Sequence, residues 1–154
     1  MIRQGLDKWR ALPMEATEPY FLGLLAEAYG AAGQVELVRD AINQGLARAE
    51  ITGEHFWDAE LYRFRGELFL LGGDNRAETS FRQAITIARS QQAKLLELRA
   101  TVSLQQLHLA QDHIDRDDRC LLKTYEWFRE GFDTPDLQKA RTLLCKIRIP
   151  DVKD

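Results

Sequence analysis

NQGLARAE, from Asn43 to Glu50, answers to RQGLDKWR at Arg3–Arg10 and to RQAITIAR at Arg82–Arg89. Gly5, Gly45 and Ala84 hold the same place in the three segments. Recurrence at a period of about 40 residues marks an array of supersecondary units, each too small to bury its own apolar face. A second pair of segments keeps the same rhythm. PYFLGLLAEAYGAAGQ (Pro19–Gln34) overlays AELYRFRGELFLLGGD (Ala59–Asp74) at that period, placing Glu27 on Glu67, Tyr29 on Phe69 and Gly33 on Gly73.

Within Pro19–Gln34 the residues Leu22, Leu25, Ala26 and Tyr29 follow three- and four-residue steps. Those steps draw one stripe along an α-helix, and the stripe must be buried. Ala26 and Gly66 fall at matching places, where a small residue admits a neighbouring helix. Gly33, Gly73 and Gly53 supply left-handed helix ends, Asp74 an N-cap, and Thr134 with Pro135 an N-cap followed by a favoured first residue. These signals predict helices near 2–11, 17–32, 35–51, 55–71, 75–91, 94–111, 116–129 and 135–148, with no competing strand pattern. The expected architecture is all-α, a solenoid of antiparallel helix pairs forming a single domain over 1–148. Its repeats span about 17–52, 54–91 and 94–129, a closing helix covers 135–148, and a tail follows at 149–154. The segment 1–11 reads as the second helix of a pair whose first helix is missing, so it must dock on the helix at 17–32.

Composition narrows the function classes. Of 154 residues, 45% are hydrophobic, enough to bury a core. Lys and Arg number 21 against 24 Asp and Glu, for a net charge of −3. This lacks the basic excess of a nucleic-acid binder. Apolar runs such as Leu68–Leu71 are far shorter than the roughly 20 residues needed to span a bilayer. The N-terminus has no apolar signal stretch, and Cys120 and Cys145 show no paired-motif spacing, which points to a reducing cytoplasm.

The chemistry-bearing residues form no catalytic signature. His108 and His113 lack the one-face spacing of a zinc-binding HExxH pair, and Gly72–Gly73 are not followed by the GK[ST] of a phosphate loop. The acidic stretch Asp112–Asp118 lacks the glycine and distal glutamate of a calcium loop. No cofactor or metal is expected. Cys120 and Cys145 are expected in the core. Trp9, Trp57 and Trp127 are expected in core or inter-repeat contacts, with Trp9 the one whose upstream partner is absent.

The two-helix unit carrying Leu25, Ala26, Tyr29 and Gly33, then Ile42 and Gly45, resembles the tetratricopeptide repeat, although that repeat has a period of about 34. A wider resemblance runs from Ile2 to about Arg148. It rests on PYFLGLLAEAYGAAGQ, SFRQAITIARSQQAKLLELRATVSL and YEWFREGFDTPDLQKARTLL. These segments look like the C-terminal tail of large bacterial signalling proteins, in which an adenylate or guanylate cyclase domain, or another effector, precedes an ATPase module and tetratricopeptide-like repeats. Only the repeats have counterparts here, so neither cyclase nor ATPase activity is carried over. The chain departs from that pattern at Asp112, His113 and Ile114, where the turn usually holds glycine and arginine.

The resemblance implies a non-enzymatic scaffold or regulatory module whose concave face, built from successive first helices, binds a protein segment or a neighbouring domain. Register places Tyr20, Glu27, Ala31, Glu60, Arg63, Glu67, Arg99, Val102 and Gln106 on that face. Glu27 and Glu67 stand where carboxylate-clamping repeats carry asparagine, which disfavours an anionic peptide end. Two alternatives come from other classes. In one, the face of Ile2, Leu6 and Trp9 docks on a second copy to form a homodimer. In the other, a small hydrolase uses His108 or His113.

Overall fold

A computed structural model describes residues 17–111 and 118–147. The expected helix at 2–11, with Ile2, Leu6 and Trp9, lies outside the described residues, as do His113, the turn at 112–114 and the tail at 149–154. The described residues form seven helices and no strand: α1 (Glu18–Ala31), α2 (Val35–Thr52), α3 (Asp58–Leu71), α4 (Arg76–Ser90), α5 (Lys94–Ala110), α6 (Asp118–Glu126) and α7 (Pro135–Ile147). None is long and apolar enough to cross a membrane.

The predicted helix ends follow local chemistry. Gly33 and Gly73 adopt φ of 69° and 67°. This left-handed conformation costs glycine little and most other residues a steric clash. It lets the Gln34 N–H reach the Tyr29 carbonyl at 2.9 Å, and the Asp74 N–H reach Phe69 at 2.9 Å. Both closures follow the Schellman pattern, which satisfies carbonyls orphaned at a helix end. At the next helix start, the Asp74 carboxylate accepts the Arg76 backbone N–H at 2.9 Å. Thr134 differs from its expected role: its hydroxyl donates backward to the Gly131 carbonyl at 2.7 Å.

Each helix packs on the next, and α1, α3, α5 and α7 also touch in sequence. Among the described residues the backbones of α2, α4 and α6 stay apart from one another, and α4 meets α6 only through side chains such as Arg89 and Cys120. The helices therefore lie in two layers, and only the layer of odd-numbered helices is continuous. Between α1 and α2 the buried stripe gathers Ala26, Val38, Ala41 and Ile42, with Phe64 and Leu68 from α3. Between α3, α4 and α5 the corresponding cluster holds Phe81, Ala84, Ala100 and Leu104. Leu98, Leu121, Leu137 and Leu144 close the C-terminal end. Burying a leucine of this kind is worth about 1.5–3 kcal/mol.

Small residues set the closest approaches, as the stripe predicts. A Cβ on Gly66 would lie 2.5 Å from Cε1 of Phe81, a ring with 0% exposure. On Gly45 it would lie 3.0 Å from both Leu61 methyl carbons.

Three expectations need correction. Trp127 is 57% exposed, because α6 ends at Glu126 rather than 129 and its ring rests edge-on against Phe128. Cys120 is half-buried and Cys145 exposed, so neither is a core residue. Cys120 faces α4 at the edge of the packing and takes a hydrogen bond from the Arg89 guanidinium.

An acid also recurs in the first turn of successive first helices: Glu18, Asp58, Glu97 and Asp136, each one repeat beyond the last. Negative charge there complements the helix dipole. Each acid finds a cationic or hydrogen-bonding partner: Glu18 with Arg48, Asp58 with His55, Glu97 with Arg89 and Lys94, Asp136 with Arg99. Burial pushes the Glu97 carboxyl up, but its bonds from Arg89 and Lys94 outweigh this and hold it below its ordinary value.

Candidate functional site

The odd-numbered helices pack against one another as well as against the even-numbered layer, and polar residues of α3, α5 and α7 meet where they adjoin. On α3, Glu60, Arg63 and Glu67 follow three- and four-residue steps, so one guanidinium spans both acids. Arg63 donates to Glu60 at 2.6 Å and to Glu67 at 2.5 Å. From α5, Arg99 reaches across to Glu60 at 3.4 Å and forks onto one Asp136 oxygen of α7 at 2.9 and 3.0 Å. The Ser103 hydroxyl donates to Glu67 at 3.3 Å.

A charge network thus ties α3, α5 and α7 together. Burial disfavours the charged form of Arg63, yet Glu60, Glu67 and Glu27 outweigh it and raise its pKa. Arg99 is likewise raised, with burial opposed by Asp136 and Glu60. Both guanidinia stay charged and are neutralised in place.

Two cavities adjoin across this network and share Glu27 and Arg63 as lining residues. One, of about 330 Å³, lies between the C-terminal ends of α1 and α3 and the start of α2. Its wall is largely apolar, with Ala31, Val35, Val38, Phe64, Leu68 and Leu71. The other, of about 200 Å³, is polar and runs to α7, where Arg99, Val102, Ser103, Asp136 and Lys139 line it. The N-terminal end of the face carries an aromatic group instead. The Tyr20 ring stands edge-on to Trp57 with centroids 4.9 Å apart, and Trp57 occupies the space that a Cβ on Gly23 would need.

The residues expected on the concave face divide accordingly. Glu27, Ala31, Arg63 and Glu67 line the apolar cavity, and Glu27, Arg63, Arg99 and Val102 the polar one. Glu60, expected on the open face, is only 2% exposed, because two arginines draw it beneath the surface. Val102 is buried too, contributing wall rather than surface. Gln106 is exposed but lines neither cavity, and Tyr20 belongs to the aromatic end.

Sequence reasoning missed Ser103, Asp136 and Lys139. Ser103 lies one helical turn after Arg99 on the same face, and Asp136 belongs to the acidic series that marks the first helices. Either signal was available. Among the described residues no cluster of three or more His, Cys, Asp or Glu is placed to hold a metal ion. His108 is buried with its Nε2 3.6 Å from Glu78, and the exposed His55 takes part in a 2.8 Å bond with Asp58 that raises its pKa.

No family model and no solved structure matches the chain. An uncharacterised protein of Rhizobium meliloti (strain 1021) is 35% identical over 107 residues, an overlap covering 68% of this chain and 10% of that protein. The chain therefore spans about a tenth of the length of that relative.

Proposed function

We propose that the chain is a non-catalytic helical-repeat scaffold, a tetratricopeptide-like solenoid whose odd-numbered helices line a concave groove for a protein segment or neighbouring domain. The observation that carries this reading is the asymmetry of the two layers. Helices that touch in sequence on one side, and stand apart on the other, curve the array around the continuous layer. The cavities shared by Glu27 and Arg63 then lie on the inside of that curve. Support for a scaffolding role also comes from the charge network, whose acids and bases neutralise one another instead of facing a substrate. The match to one stretch of a much longer protein favours a module that reports a bound partner to other domains, the arrangement of the cyclase and ATPase signalling proteins whose tails it resembles.

Site-specific photo-crosslinking tests this. A crosslinker at Ala31, in the groove, should capture a discrete protein partner from host lysate, whereas one at Arg39, on the exposed face of α2, should not. Capture that is equal from both positions, or absent from both, counts against the groove.

A further inference from the structure

The two cavities pose different demands to anything that bridges them. The apolar one is walled by Val38, Phe64 and Leu68, and Leu71, at 76% exposure, extends its rim into solvent. Covering such a rim with another apolar side chain is favourable in proportion to the area removed from water. At the junction, the electrostatic demand is set by which charges are already matched. Arg63 is held by Glu60 and Glu67, and Arg99 by Asp136 and Glu60. An incoming carboxylate would have to displace acids that are bound within the fold.

Glu27 is the opposite case. It is exposed, and it makes no hydrogen bond or ion pair among the described residues, although its charge is felt at Arg63. Lys139, exposed at the α7 end of the polar cavity, repels a cation there and so confines one to the Glu27 end.

Resting on the groove reading above, we infer that the occupant is a partner polypeptide segment in which a leucine- or methionine-sized side chain lies next to, or one position removed from, a lysine or arginine. The apolar side chain fills the space against Phe64 and Leu68, and the cation pairs with Glu27. Partial exposure of this pair makes its contribution weaken with salt. The same surface discriminates against acidic segments, since a carboxylate beside Glu27 would be repelled.

The test uses three pools of short synthetic peptides that share randomised flanks but carry a central Leu-Lys, Leu-Glu or Ser-Lys pair. Binding to the full chain is read by fluorescence anisotropy. The Leu-Lys pool should bind roughly tenfold more tightly than either other pool, a difference of about 1.4 kcal/mol. Glu27→Lys should move the preference to Leu-Glu, a reversal that simple unfolding cannot produce. Equal binding of the three pools, or a preference unchanged in Glu27→Lys, overturns this inference and leaves the groove reading standing. Failure of every pool to bind the wild-type chain overturns both.

Discussion

The unit α1–α2 and the unit α3–α4 occupy the same register, yet they divide side-chain volume in opposite ways. Where the first unit places Ala26 and Ala41 in one buried cluster, the second sets the Phe81 ring directly against Gly66 at the equivalent positions. The junction to the next helix shows the reverse exchange. Gly45 receives the branched end of Leu61, whereas one repeat later Ala84 shares its cluster with Ala100. Bulk taken up at one junction is thus given up at the other, because close packing constrains facing side chains jointly rather than one at a time. A third difference concerns the groove. Gly23 lies under Trp57, but its counterpart Arg63 carries the charge network, so the first unit offers aromatic surface and the second electrostatic surface.

Removing the ring that distinguishes the second unit should break this comparison most severely. Phe81→Ala is expected to cost about 3–5 kcal/mol, measured by urea denaturation, since it opens a cavity beneath a ring with no exposure. Gly66→Ala should by itself destabilise by about 1–2 kcal/mol, because overpacking against the ring exceeds the gain in helix propensity. Made in the Phe81→Ala background it should instead stabilise, recreating the Ala–Ala pairing of the first unit. A double-mutant cycle showing simple additivity would mean that the two positions do not share their space.

A smaller effect concerns how the units are joined. Glu18 pairs with Arg48 inside its own unit, but Glu97 draws Arg89 from the preceding helix pair. Glu97→Gln is expected to cost about 1–3 kcal/mol at neutral pH by weakening bonds from Arg89 and Lys94. Because the folded pKa of Glu97 is depressed, this stabilisation is present above the unfolded value. It fades as the pH falls below about 4 and through the folded value. The gap between wild type and Glu97→Gln should therefore narrow in acid. A gap that stays constant with pH would show that the carboxylate charge is not what joins the units.

The smallest change sharpens the comparison at the ends of the second helices. Gly53 closes α2 at φ 73°, while Gln92, one repeat later, follows α4 at φ 56°. A side chain pays a steric penalty there that glycine avoids. Gln92→Gly should stabilise by about 0.5–1 kcal/mol in thermal unfolding, the size of effect that relief of a left-handed backbone allows. A loss of stability would show that the Gln92 side chain compensates for its backbone.

The helix positions were legible because their signals are local. A three- and four-residue apolar rhythm and a glycine where φ must be positive act within a short stretch of where they stand, and the repeat period renews them. The face bearing Glu27, Arg63, Glu67 and Arg99 followed from that register. Which of these groups would be buried, which would pair and which would be left unmatched did not, since Arg99 meets Asp136 from a distant helix and Glu60 sinks only when two arginines converge on it. Cys120, Cys145 and Trp127 misled for the same reason, as their residue types favour burial but Cys120 lies at the edge of the packing, Cys145 on an exposed helix face and Trp127 just past the end of α6. Sequence alone settled the all-helical elements and their rhythm, which depend on neighbours along the chain. Tertiary structure alone decided the exchange of volume between units and the unpaired charge at Glu27, because packing and desolvation depend on residues brought together from distant segments.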